Sequence, residues 1–155
     1  MPPIYCLFCG SYFDTLTYQR QIEKADEEDI FIRNGVFKKL VPSIYNNCCC
    51  ISRMRVISTY NIQMIDACHI IPFAISHDDT IVNGIPLCPN LHRAFDRGLI
   101  TVDEFYTVQV SPSFHEDEQA YSIKQYEGMQ IVLPNERKYY PAIDNLAWHR
   151  KHVFK

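Results

Sequence analysis

The chain lacks a long apolar run, an excess of basic charge, an even set of cysteines and any internal repeat, and each absence removes a class of protein. No stretch reaches the roughly eighteen apolar residues of a membrane helix. The first residues show none of the basic, apolar and small succession of a secretory signal. The expectation is a soluble cytoplasmic protein with no membrane partner. The cysteines number seven, and Cys48, Cys49 and Cys50 are adjacent. That is a poor disulfide framework and suits a reducing compartment. The net charge of −3 runs against the basic surface usual where a protein contacts phosphates.

What is present fits one domain. The chain has 155 residues, of which 47% are hydrophobic, enough for a single core. Its charge is unevenly spread. Residues 14–29 carry six acids and two bases, whereas residues 30–65 carry Arg33, Lys38, Lys39, Arg53 and Arg55 with no acid. Residues 137–155 hold Arg137, Lys138, Arg150, Lys151 and Lys155 against Asp144 alone. This distribution permits binding to nucleic acid without demanding it.

Periodicity predicts the elements. Residues 1–17 read as irregular or as one strand. From Thr17 to Tyr45, apolar Ile22, Ile30, Phe37, Leu40 and Ile44 recur at helical spacing, with Asn34-Gly35 a breakpoint and Pro42 a kink or stop. Short strands are expected over Cys49–Ile57 and Gln63–Pro72, then a polar loop from Ser76 to Asn83. Pro89 opens a helix and Gly98 closes it. Leu99–Val102 and Tyr106–Ser111 alternate like paired strands. A second hairpin is expected over Tyr121–Leu133, turning at Glu127-Gly128, and a final helix over residues 142–154.

The chemistry concentrates between Asp66 and Gly98. His69 lies in an apolar run, Asn83 follows fourteen residues later, and His92 nine after that. His92 and Asp96 fall four apart, on one face of the short helix. Hydrolysis of a phosphodiester requires that water lose a proton and that charge on phosphate and leaving oxygen be neutralised. A histidine suits the first task and a metal-bound imidazole–carboxylate pair the second.

Three submotifs carry a family likeness: D-A-x-H-I-I-P around His69, N-G-x-x-L-C-x-x-L-H-R-x-F-D-R-G-L-I from Asn83 to Ile100, and Y-x-x-x-C-x-I-S from Tyr45 to Ser52. Together they resemble the HNH endonuclease family, and within it the branch found as C-terminal domains of restriction-type nucleases. The likeness extends from about Phe31 to Phe154. It implies an α+β fold: a ββα-metal finger with added β-hairpins, an N-terminal helical segment and a closing C-terminal helix. The expected organisation is an N-terminal extension over residues 1–30 and a nuclease domain over residues 31–155. The implied activity is metal-dependent hydrolysis of DNA, with a role in restriction or phage defence.

The resemblance makes His69 the general base, Asn83 the residue that holds the strand–helix loop, and His92 a metal ligand on the helix. Asp96 and Asp66 are the further ligand candidates, although residues three apart on an ideal strand face opposite sides, so Asp66 and His69 converge only if the strand twists or bulges. Arg93 and Arg97 are candidates for gripping phosphate oxygens. Magnesium or manganese is the expected ion. The residue before the catalytic histidine is commonly an Asp or His ligand in the family, and here it is Cys68. Either Asp66 supplies the missing ligand, which is the favoured reading, or Cys68 makes the site thiophilic, or binding is weak.

A structural zinc, held in many relatives by two C-x-x-C pairs, is not favoured, because Leu91 stands where a pair with Cys88 would close. Cys49 and Cys88 read instead as buried free thiols. Cys6 and Cys9 form a true C-x-x-C with no second pair nearby. His77, His115, His149 and His152 read as surface residues. The competing function is a ββα finger that has lost chemistry and serves DNA or protein recognition, favoured by Cys68 and the acidic balance. Cutting both strands with one site per chain is simplest for a homodimer.

Overall fold

In the computed structural model the described residues are 4–5, 12–13, 25–56, 58–60, 62–117 and 120–155, with side chains described from residue 35 onward. Two compact units divide the chain, residues 1–35 and 36–155. In the first, strands β1 (Ile4–Tyr5) and β2 (Tyr12–Phe13) pair antiparallel. The Cys6–Cys9 motif lies outside the described residues.

Helix α1 (Ala25–Ile44) passes through both Asn34-Gly35 and Pro42 without a break, against the expectation of two pieces. Its buried stripe runs Phe37, Val41 and Tyr45, at successive spacings of four, while Leu40 is 40% exposed. The expected stripe through Leu40 and Ile44 was therefore rotated by about one residue. Pro42 lies in the last turn of the helix, which ends two residues later at Ile44. Asn46 and Asn47 then take left-handed backbone angles, φ 54° and 55°, which asparagine accepts more readily than most residues.

The chain next turns at Cys50–Ser52 instead of forming the strand expected over Cys49–Ile57. It is stitched on both sides: Cys50 N–H donates to Pro86 O and Val132 N–H donates to Cys50 O. Strand β3 (Asp66–His69) pairs antiparallel with β4 (Gly84–Leu87), with Asp66 opposite Leu87, Cys68 opposite Ile85 and His69 opposite Gly84. Between them lie the one-turn helix α2 (Phe73–Ser76) and a 3-10 turn at Ile81–Asn83.

Helix α3 (Pro89–Asp96) follows, with Pro89 in its first turn, and it buries Leu91, Ala94 and Phe95. This completes a ββα unit. Gly98 closes it with φ +70°, in a space so tight that a Cβ would meet Val153 O at 2.0 Å. Strands β5 (Ile100–Val102) and β6 (Val108–Val110) form the expected hairpin. The second hairpin is replaced by a 3-10 turn at Lys124–Tyr126, a glycine turn at Gly128 and a single bridge between Thr107 and Gln130. Helix α4 (Ile143–His152) packs on β5 and closes the fold.

The core gathers Cys49, Cys50, Ile51, Cys68, Ile70, Ile85, Leu87, Phe95, Ile100, Val102 and Leu146, all at or below 1% exposure. The fold class is the α+β finger with flanking hairpin and helices that the sequence led one to expect. Among the described residues no helix is long and apolar enough to cross a membrane.

Candidate active site

Strand β3 carries chemistry on both faces. Successive side chains of a strand point to opposite sides, so Asp66 and Cys68 share one face and His69 takes the other. The two faces have different neighbours, which divides the site into a ligand cluster and a histidine–carboxylate pair.

On the first face, α3 supplies the partners. His92 and Asp96 are one helical turn apart, with Nε2 of His92 3.4 Å from Asp96 Oδ2. The other ring nitrogen, Nδ1, lies 3.2 Å from Asp66 Oδ2. Cys68 is fully buried and points its thiol at Asp96 Oδ1, 3.7 Å away. Burial, with the Asp96 charge second, pushes the Cys68 thiol well above its ordinary range. Cys68, His92 and Asp96 each present one ligand atom, all within 4.8 Å of one another. Asp66, expected among the ligands, thus meets the opposite side of the His92 ring. Asp96 pairs with His92 and Cys68; Arg93 on α3 and Arg97 just past its end are both exposed.

On the second face, the His69 ring is held from three directions. Its Nε2 lies 2.8 Å from Asp79 Oδ1, and both side chains are largely buried, at 17% and 13% exposure. The Phe37 ring stacks on the imidazole with centroids 3.9 Å apart and planes 9° from parallel. Phe73 leans against it at 6.0 Å. Register explains the stack. Gly84 stands opposite His69, and a Cβ there would come within 2.6 Å of the Phe37 ring. The absence of a side chain at residue 84 is what admits Phe37. A carboxylate can only accept, so Nε2 carries a hydrogen, and in the neutral ring Nδ1 is then the nitrogen with the lone pair.

Asn83 is fully buried and ties the β3–β4 connection together. Its Oδ1 accepts from Ile71 N–H at 2.9 Å, and its Nδ2 donates to Ile71 O at 3.0 Å and Asp78 O at 2.9 Å. Asn145 on α4 adds a fourth bond, from its Nδ2 to Asn83 Oδ1 at 3.1 Å. The amide thereby sets the path of the loop that delivers Asp79.

Asp79 and Asn145 were not singled out in the sequence, and Phe37 was read only as part of the apolar stripe of its helix. His77, read as a surface residue, is exposed at the end of α2 in a left-handed conformation, and Asp79 two residues on is the loop's largely buried carboxylate. His149 was read as a surface residue, and it is buried instead. It stacks on Phe95 with centroids 3.7 Å apart, takes the Thr101 hydroxyl on Nδ1 and donates from Nε2 to Phe95 O. Burial lowers its pKa to about 4.

Two of the other described thiols form a separate pair. Cys49 and Cys88 are free and buried. Ser52 bridges them, donating its backbone N–H to Cys49 Sγ and its hydroxyl to Cys88 Sγ. A hydrogen bond from the Cys88 thiol pulls Cys49 down, and the same contact pushes Cys88 up. Two thiols and a hydroxyl fall short of a closed four-ligand zinc site.

Residues 49–103 match the family model described as HNH endonuclease. The ββα unit of β3, β4 and α3 lies within that matched stretch. All the residues of the ligand cluster and of the His69–Asp79 pair fall inside the matched stretch. A solved structure titled "Modification dependent TagI restriction endonuclease" aligns with a TM-score of 0.54 at 20% identity, over 75% of this chain. The chain spans only 36% of that protein's length. No curated protein matches the chain.

Proposed function

We propose that this HNH-type chain is a metal-dependent endonuclease that hydrolyses phosphodiester bonds in DNA. The observation that carries this reading is the pairing, on one four-residue strand, of a carboxylate-held histidine with a neighbouring metal-ligand cluster. Residues 68 and 69 are consecutive, so their Cα atoms are about 3.8 Å apart. Their side chains leave the strand on opposite faces, so a phosphate served by both must lie across the edge of β3.

His69 is the general base. With Nε2–H given to Asp79, Nδ1 accepts a proton from water, and Phe37 keeps the ring in plane. Asp79 is a positioning residue: it selects the tautomer and stabilises the imidazolium once the proton has moved. Asn83 holds the loop that presents Asp79. The donor set of Cys68, His92 and Asp96 fits a divalent ion, and Asp66 orients His92 from the far side of its ring. When bound, that ion neutralises charge on the phosphate and on the leaving oxygen. Arg93 and Arg97, both exposed, contact phosphates along the strand being cut.

The nuclease reading places this chemistry in the domain expected at residues 31–155, in the cytoplasm, acting as a homodimer when both strands are cut. A role in restriction is supported by the family match and by the fold shared with a restriction enzyme. The test is a plasmid-nicking assay with magnesium, manganese, nickel and zinc, comparing the parent with His69→Ala and His92→Ala. The expected result is cleavage by the parent alone, with DNA affinity preserved in His69→Ala. Equal cleavage by His69→Ala removes the base assignment. DNA binding without cleavage by the parent in any ion selects the recognition-module reading instead.

A further inference from the structure

The ligand cluster favours a different ion from the magnesium or manganese expected at first. We infer that its resident metal is a four-coordinate thiophilic ion of the zinc–cobalt class, held by Cys68 Sγ, His92 Nε2 and the Asp96 carboxylate. The fourth position faces solvent. The use of this ion in catalysis rests on the nuclease reading above; its binding does not.

Donor chemistry is the first argument. A thiolate with an imidazole selects zinc and its neighbours, whereas magnesium takes oxygen donors in an octahedron. Spacing is the second. A tetrahedral zinc with metal–sulfur near 2.3 Å and metal–nitrogen or –oxygen near 2.1 Å places its ligands roughly 3.4 to 3.6 Å from one another. An octahedral magnesium at about 2.1 Å brings neighbouring oxygens to about 3.0 Å. Here Cys68 Sγ is 3.7 Å from Asp96 Oδ1, and His92 Nε2 is 3.4 Å from Asp96 Oδ2. Those two separations, to different oxygens of Asp96, are near the tetrahedral edge, and a turn of the exposed carboxylate offers one oxygen to both partners, with all three ligand atoms within 4.8 Å.

The third argument is independent of Cys68. Asp66 Oδ2 lies 3.2 Å from Nδ1 of His92; a hydrogen held there leaves Nε2 of the neutral ring as the nitrogen that can ligate an ion in the cluster. A carboxylate behind a ligating histidine is the usual outer support of a zinc-bound imidazole. The pleat of β3 supplies the fourth: Asp66 and Cys68 share the face that meets α3, so one strand gives a ligand and the support for a second. His92 is 27% and Asp96 56% exposed in their side chains, against a fully buried Cys68. An ion there is anchored from inside and open on the solvent side, as a catalytic site with three protein ligands must be. On ligation the Cys68 S–H bond is replaced by a sulfur–metal bond, and the proton goes to solvent.

The test is addition of cobalt(II) to the full chain after metal removal, read by absorption. The expected spectrum has a sulfur-to-cobalt charge-transfer band and the strong visible bands of a tetrahedral site. Both disappear in Cys68→Ser and in His92→Ala, and both survive in Cys88→Ser. Circular dichroism checks that each variant is folded, and His92 lies near the surface, so its loss leaves the core intact. Zinc affinity should fall in Cys68→Ser by more than the roughly tenfold to hundredfold that follows loss of an outer support. In Cys68→Asp the thiolate band is lost, and the preference among ions moves toward magnesium. A band unchanged in Cys68→Ser overturns the assignment, as does one that vanishes only in Cys88→Ser, which would move the ion to Cys49 and Cys88. Cobalt bound through Cys68 with no nicking in any ion sinks the nuclease reading and leaves the metal assignment standing. Nicking in magnesium by a parent without the thiolate band does the reverse.

Discussion

Acid should loosen the seat of α4 through one residue, His149. Its ring is buried between Phe95 and Thr101, with both nitrogens satisfied in the neutral form. Burial holds the folded pKa at about 4, against 6.5 for an unhindered histidine. The unfolded chain therefore binds a proton between those values that the folded chain refuses. Stability is complete above pH 6.5, falls as the pH drops, and the whole contribution is gone below about pH 4. A shift of that size corresponds to about 3 kcal/mol, a large part of the 5–15 kcal/mol typical of a domain. The assay is urea unfolding followed by the fluorescence of Trp148, the single tryptophan, from pH 7 down to pH 4. The control is His149→Gln, whose amide can accept from Thr101 and donate to Phe95 O without titrating in this range. The stability of the parent relative to the variant should fall by about 3 kcal/mol over the interval. Parallel curves for the two proteins would refute the reasoning.

Other substitutions test the site directly. Asp79→Asn removes the charge opposite Nε2 and adds an amide N–H that can hold His69 in the other tautomer, and kcat should fall roughly tenfold to a hundredfold with KM little changed; an unaltered rate and pH profile would show that Asp79 only fills space. Gly84→Ala forces Phe37 off His69 and should cost about 1–3 kcal/mol of stability, seen as a lower unfolding midpoint. Asn83→Ala leaves the Ile71 and Asp78 backbone groups without their partner. A loss of about 2 kcal/mol is expected, with faster amide exchange confined to the loop after β3.

The pattern that could be read from the chain was the local one. Pro89 and Gly98 bracket α3 as helix boundaries usually are, and the spacing of four places His92 and Asp96 together without reference to anything distant. Asn83 was legible through the family resemblance, since by itself an Asn before a Gly reads as a turn residue. The partners of His69 were not. Phe37 reaches it across thirty-two residues, and only because the register sets a glycine opposite; nothing in local spacing signals a ring stacking into that gap. His149 misled because it lies among Arg150 and Lys151, a setting that reads as solvent-facing. The helix instead turns that one position inward against Phe95. Asp66 was grouped with the ligands by nearness in sequence, yet the strand brings it to the far nitrogen of the His92 ring. The hairpin expected at Tyr121–Leu133 failed where alternation was weakest, and 3-10 geometry prevailed there.

The alternation of β3 has a consequence for engineering. Because positions 68 and 69 project away from each other, an exchange at the first leaves the ring contacts of the second undisturbed. Cation preference and basicity are then separable variables, adjustable one codon apart, in a finger small enough to be varied exhaustively.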